Sequence, residues 1–338
     1  MIKEPIFFER NRVGRVYTGG KLFAGFFGDP AEDGYLPEEW IASAVRAINK
    51  DSKDPNEGLS KVRGQALYFN ELLEKYPEEM LGAGKNLRIL VKALDSAIRL
   101  PAQAHPDKAF SRKYFNSDFG KTESWIILDT RPDAKIFFGF KDGVTREQFE
   151  QAIDDSLTDP DAMERLMKEI HPQKGEVYLV PGRTVHAIGK GCLILEIQEP
   201  TDFTIQPEHW CGEYQLNEQE MYMGLSREVA VSCFDFCDAP NALIAPKTEE
   251  EKGGYTKERL IGKEHTDCFE IHRYRLSCGQ FIPALANQYA IYIATEGEGK
   301  IYGEGFEKPL KKGDYFFLPA CLMGKSTIEG NLEMIECY

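Results

Sequence analysis

Long apolar runs, paired cysteines and clusters of basic residues are all missing from this chain of 338 residues. No run approaches the ~18 apolar residues that a spanning helix needs, so no membrane span is expected. The opening Met1-Ile2-Lys3-Glu4-Pro5-Ile6-Phe7-Phe8 lacks the charged and apolar regions of a secretion signal. None of the 8 cysteines forms a CxxC pair. Cys192, Cys211, Cys233, Cys237, Cys268, Cys278, Cys321 and Cys337 are therefore expected as free thiols in a reducing cytoplasm. The net charge is -14 with no local basic patch, which argues against nucleic acid and anionic membranes as partners. Glu249-Glu250-Glu251 reads as a solvated loop.

What is present suits a soluble protein with a sizeable core. The hydrophobic fraction is 42% and the charged fraction 28%. The length fits one large domain or two. Trp40 to Ile48 and Leu59 to Tyr76 have helical spacing, with Pro77 stopping the second helix. Leu87 to Leu94 reads as a buried strand. Strands are also expected at Trp125 to Leu128 and Ala134 to Phe140. Thr145 to Ile170 reads as helical, broken at Thr158-Asp159-Pro160, with Thr145 and Gln148 as a capping box. Strands follow at Val177 to Val180 and Cys192 to Gln198, and a short helix at Asn217 to Leu225.

From Phe269 to Tyr338 the pattern is almost wholly β. Its strands run over Phe269 to Leu276, Tyr289 to Thr295, Lys300 to Tyr302, Tyr315 to Leu318 and Leu332 to Cys337, with turns at Glu296 to Gly299 and Lys312 to Asp314. Short strands with regular turns suggest a sandwich or barrel. Lys174-Gly175-Glu176-Val177-Tyr178-Leu179-Val180-Pro181 echoes Lys312-Gly313-Asp314-Tyr315-Phe316-Phe317-Leu318-Pro319, so the same unit is expected twice. The polar segment Lys247 to Lys257 is the candidate linker, dividing residues 1–246 from 247–338.

Of the 6 histidines, His105 and His186 stand in informative places. Gln103 and His105 lie two apart, so an extended backbone projects them to one side. His186 follows the turn Pro181-Gly182-Arg183-Thr184, and Glu123 opens a strand. Gln103, His105, Glu123 and His186 together would make a mixed nitrogen–oxygen set for one divalent metal, with room for substrate oxygens. By spacing alone, each histidine reads equally as a hydrogen-bonded structural residue.

Gln103-Ala104-His105-Pro106-Asp107-Lys108, Gly120-Lys121-Thr122-Glu123-Ser124-Trp125 and Pro181-Gly182-Arg183-Thr184-Val185-His186-Ala187-Ile188-Gly189 resemble type I mannose-6-phosphate isomerases, most closely the short bacterial form. Glu39-Trp40-Ile41-Ala42-Ser43, Leu195-Glu196-Ile197-Gln198 and Thr201-Asp202-Phe203-Thr204 share in the resemblance, which covers most of the chain. It implies a mainly β cupin fold of two jelly-roll barrels with helices packed around the first. The first barrel would hold the metal and the second would lack a ligand set. It implies one zinc on Gln103, His105, Glu123 and His186, with cobalt, nickel and manganese as chemical alternatives. It also implies interconversion of mannose 6-phosphate and fructose 6-phosphate through a metal-stabilised enediolate.

Lys121, Glu196 and Asp202 then fall at the substrate site. Glu196 or Asp202 is the expected base. Lys121 would move a proton or hold an oxyanion or the phosphate, and Ser43 and Arg183 are further phosphate-binding candidates. The chain departs from the family at Gln206, where the resemblance calls for arginine. Three readings remain at that point. Another cation such as Arg183 or Lys121 compensates; the substrate is another sugar or sugar phosphate, taken by an isomerase or epimerase; or the protein binds sugar without turnover.

Overall fold

The computed structural model describes every residue except 1, 51, 85, 238 and 240. The protein is mainly β. Two large antiparallel sheets carry it, and its longest helix, Arg146–Asp155, has 10 residues. No described helix is long and apolar enough to cross a membrane.

The first sheet has 7 strands, in the order Leu243–Ile244, Val177–Val180, Glu123–Thr130, Cys192–Gln198, Leu90–Asp95, Glu38–Ile41 and Arg12–Val13. A sheet of 3 strands, Met167–Ile170, Ile136–Phe140 and His186–Ile188, stands apart from it. The second large sheet is built from Lys247 onward and takes one strand, Ile6–Phe7, from the other end of the chain. That strand pairs antiparallel with Tyr315–Leu318.

The first sheet is buried on both faces, and strand alternation sorts its side chains. In Cys192–Gln198, Leu193, Leu195 and Ile197 pack with Ile291, Ile293, Phe317 and Ile335 of the second sheet. Each such side chain contributes about 2 kcal/mol by leaving water. Ile194 faces the other way, toward Trp125, Ile127 and the helix residue Phe149. Glu196 shares that inner face. The register sets Glu196 opposite Lys92 on one neighbour and opposite Trp125 on the other. A polar row thus crosses a face that is otherwise apolar.

Several local expectations need correction. Trp40 lies in a strand, and only Phe69–Lys75 of the second candidate helix is helical. That helix does end just before Pro77, which also begins the next one, Pro77–Leu81, where its missing N–H costs nothing. Thr145 and Gln148 do form a capping box. Their helix ends at Asp155, however, and Met167–Ile170 pairs with Ile136–Phe140 as a strand. The proposed linker is a hairpin: Lys247–Lys252 pairs with Tyr255–Ile261 across Gly253-Gly254. The acidic run therefore lies in an exposed strand. Glu296 to Gly299 is no turn; the strand Ala290–Gly303 runs through it with a register shift between Ala294 and Glu296. Charge and glycine marked these segments as loops, and pairing with a neighbouring strand overrode that signal. All 8 cysteines are free.

Candidate metal centre

Three separated segments are held together by backbone contacts before any side chain is considered. Gln103 and His186 exchange two hydrogen bonds, each 2.9 Å. Lys121 N–H donates to the Pro106 carbonyl at 2.9 Å, and Arg183 N–H to the His105 carbonyl at 2.6 Å. Gly120 sits so close to Pro106 that a Cβ there would lie 2.6 Å from the Pro106 carbonyl oxygen. Glu199 then ties the start of the 123–130 strand, accepting from Gly120 N–H at 3.2 Å and Thr122 N–H at 3.0 Å. Asp107 caps the helix Lys108–Phe115 through Phe110 N–H at 2.7 Å, which fixes the chain just beyond His105.

These contacts bring His105, Glu123 and His186 to one buried point, with ligand atoms within 4.8 Å of one another. His105 Nε2 is 3.1 Å from one Glu123 oxygen, His186 Nε2 is 3.4 Å from the other, and the two Nε2 atoms are 3.2 Å apart. Each Nδ1 faces a carbonyl at 2.9 Å, Phe203 for His105 and Thr184 for His186. Those carbonyls place the ring proton on Nδ1 and leave lone pairs on both Nε2 atoms. Burial, then the charge of Lys121, pushes His105 down to about 3, and burial lowers His186 as well. Both rings are therefore neutral near pH 7. Burial alone would raise Glu123, but Lys121 and His105 hold its carboxyl well below the usual range.

This donor set fits a metal. Two lone pairs and a carboxylate converge in a dry place, and Glu123 Oε2 has no hydrogen-bond partner. A cation is what such an arrangement requires. Lys121 supplies one positive charge nearby, its Nζ lying 2.8 Å from His105 Nε2 and 3.4 Å from Glu123. Gln103 is buried, and its backbone is bridged to that of His186.

A cavity of about 980 Å³ contains Gln103, Lys121, Glu196, Asp202 and Gln206 in its wall. It also contains four residues that the sequence did not single out: Arg15, Tyr17, Glu38 and Lys92. They form an alternating chain of charge. Asp202 accepts from Arg15 at 3.0 Å, and Arg15 donates to Glu38 at 3.0 Å. Lys92 Nζ lies 3.9 Å from Glu38 and 3.2 Å from Glu196. Tyr17 and the Trp40 indole also donate to Glu38, at 2.5 and 2.6 Å. Burial opposes ionisation of Glu38, yet Arg15 and Lys92 outweigh it and bring the carboxyl down to about 2. Glu196 behaves oppositely: burial, then the charge of Glu123, raises it to about 7. Lys92 carried a signal that could have been read, a lone charge inside the apolar run Leu90-Val91-Lys92-Ala93-Leu94.

The two carboxylates proposed as bases differ in freedom. Asp202 is engaged at both oxygens, by Arg15 at 3.0 Å and by Ile48 N–H at 2.8 Å. Glu196 Oε2 has no hydrogen-bond partner and lies 3.2 Å from the Lys92 ammonium. Ser43 and Arg183 are not brought to the cavity. Ser43 Oγ is engaged with Val45, and Arg183 donates to the Cys233 and Ser232 carbonyls. Gln206 does line the cavity, with Nε2 3.4 Å from the Glu220 carbonyl. The cation beside Asp202 is Arg15, from a distant part of the chain.

A mainly β fold with a buried His–Glu–His group that could hold a metal, beside a polar cavity, defines the class: a β protein with a candidate metal centre. A profile for the mannose-6-phosphate isomerase cupin domain matches residues 264–338. The chain is 28% identical to mannose-6-phosphate isomerase ManA of Bacillus subtilis (strain 168), over 100% of both chains. It is 27% identical to a mannose-6-phosphate isomerase of Streptococcus mutans, over 99% of this chain and 98% of that one. The crystal structure of the mannose 6-phosphate isomerase from Bacillus subtilis superposes with a TM-score of 0.80 at 26% identity, covering 99% of this chain and 100% of that one. Over its full length the chain is similar to mannose-6-phosphate isomerases.

Proposed function

We propose that this protein is an aldose–ketose isomerase that interconverts mannose 6-phosphate and fructose 6-phosphate, with zinc held by Gln103, His105, Glu123 and His186. The observation that carries this reading is the position of Glu196. It is a buried carboxylate, ion-paired with Lys92, in the wall of the cavity that Gln103 and Lys121 also line. The full-length likeness to mannose-6-phosphate isomerases supports the substrate, and residues 1–246 and 247–338 are read as two cupin barrels, the first catalytic.

When bound, the metal supplies a Lewis acid toward the sugar oxygens at C1 and C2. Glu196 acts as the base. It takes the proton from C2 of the aldose, the C–H electron pair becomes the C1–C2 double bond, and the carbonyl oxygen O1 gains the negative charge. Lys121 is the cation placed to offset that charge. For the ketose, the O2 proton passes to O1, the O2 electrons form the C2 carbonyl, and the C1–C2 double bond takes back the proton from Glu196 at C1. A carboxyl poised near 7 exchanges a proton in both directions at neutral pH. Lys92 fixes the Glu196 carboxylate, and Asp202 positions the wall.

A coupled assay for fructose 6-phosphate formed from mannose 6-phosphate, run with zinc and with a chelator, tests this reading. Zinc-dependent turnover is expected. A folded, zinc-loaded sample without turnover would overturn it and direct the search to other sugars.

A further inference from the structure

The cavity has a buried floor and an exposed rim. Gln103, Lys121, Lys92 and Glu196 are buried at the floor, whereas Ile48, Lys50 and Ser52 at the other extreme are exposed. A hexose 6-phosphate carries its reacting carbons at one end and its phosphate at the other. With C1 and C2 at the floor beside the metal donors, the phosphate comes to the rim.

Four cationic side chains line the cavity: Arg15, Lys50, Lys92 and Lys121. Three are already neutralised. Arg15 is paired with Glu38 and Asp202, Lys92 with Glu38 and Glu196, and Lys121 with Glu123. Lys50 has no carboxylate partner among the described residues. Its segment is nevertheless anchored. Ile48 N–H donates to Asp202 at 2.8 Å, Arg15 donates to the Asn49 side chain at 3.1 Å, and Asn49 Nδ2 donates to the Gly14 carbonyl at 2.9 Å. Asp202 and Arg15 thus hold the backbone of residues 48–49 against the cavity and set the start of the Lys50 side chain.

We propose that Lys50 is the cation that recognises the phosphate of the substrate, and that the Asp202–Arg15 pair positions it. The inference rests on the reading of the substrate as a hexose 6-phosphate. A dianion gains most from an uncompensated charge, because a lysine already shared with a carboxylate must give up part of that contact to bind phosphate. The same arrangement gives Asp202 a role other than proton transfer.

The test compares wild type with Lys50→Gln, Lys50→Glu and Lys50→Arg, using mannose 6-phosphate and unphosphorylated mannose. Lys50→Gln is expected to raise KM for mannose 6-phosphate about tenfold, the scale of one charge-assisted hydrogen bond. Lys50→Glu raises it further, Lys50→Arg restores most of it, and the preference for phosphorylated over unphosphorylated sugar falls in step. Asp202→Ala, which releases Ile48, shifts KM in the same sense, and Asp202→Asn, which still accepts from Ile48, recovers part of the loss. Unchanged KM values in Lys50→Gln and Lys50→Glu would overturn the proposal. If wild type turns over no mannose 6-phosphate, the isomerase reading fails separately. Calorimetric binding of inorganic phosphate then decides: loss of binding in Lys50→Glu supports the rim site, and equal binding overturns it.

Discussion

Lys92 and Glu196 are register partners on adjacent strands, both buried, with Nζ 3.2 Å from Oε2. Only 3% of each residue is exposed, so the charges interact with little screening by water. Lys92 favours the ionised form of Glu196, while burial and Glu123 favour the protonated form. The carboxyl lies near neutrality because these influences nearly balance.

Removing Lys92 tips that balance. Lys92→Met takes away a cation, so the Glu196 pKa rises and its ionised fraction at pH 7 falls. The acid limb of the kcat/KM profile should move to higher pH, and turnover at pH 7 should fall about fivefold when the limb moves by about one pH unit. A pH–rate profile of the zinc-loaded variant checks this; an unmoved limb would show that Glu196 is not the titrating base.

Glu196→Gln and Asp202→Asn separate the two carboxylates. Glu196→Gln should lower kcat by about a thousandfold or more, while Asp202→Asn acts mainly on KM. Zinc content and melting temperature, measured in parallel, show that the folds are intact. Equal losses of kcat in both variants would make Asp202 a base again.

The metal centre should bind one zinc per chain. Zinc bound to the native state raises the melting temperature with the logarithm of its excess over Kd. His105→Ala, His186→Ala and Glu123→Gln should abolish that rise, and Gln103→Ala should weaken it. Metal analysis after gel filtration and thermal scans with and without chelator check the set. Stoichiometric zinc in His186→Ala would place the metal elsewhere.

Glu38 makes stability depend on pH in the acid range. Its folded pKa is about 2, below the ordinary carboxylate value, so the folded protein holds fewer protons than the unfolded chain. Its contribution is complete above ~4.5 and disappears as pH falls toward 2. Glu196, raised to about 7, has the opposite sign: its protonated form is favoured by folding, and that contribution fades as pH rises through 7. Glu38→Gln should flatten the acid side of a melting-temperature curve, and Glu196→Gln the neutral side.

Gly120 is a packing position as well as part of a motif. A Cβ there would meet the Pro106 carbonyl oxygen at 2.6 Å and the Asp107 carbonyl carbon at 2.9 Å. Gly120→Ala should cost about 1–3 kcal/mol and loosen the link between His105 and Glu123. A lower melting temperature together with weaker zinc binding is expected. A lower melting temperature alone would mean that the metal donors tolerate the shift.

The sequence by itself determined the mainly β character, the free cysteines, the capping box at Thr145 and the segments that supply His105, Glu123 and His186. These follow from local chemistry: alternation along a strand, a cap three residues before its partner, and motifs written in short contiguous runs. Tertiary structure alone decided the rest. Arg15 and Asp202 are 187 positions apart, and no local pattern joins them. Lys92 is a lone charge in a strand read as buried, and only register sets it opposite Glu196. Ser43 and Arg183 lay beside the right motifs, but the chain turned their side chains to neighbouring backbone. The hairpin at Lys247–Ile261 looked like a linker because its pairing partner, not its own composition, makes it a strand. Side-chain type and short spacing can be read along a chain, but buried charge pairs form where strands meet, and register between distant strands is a property of the whole packed sheet.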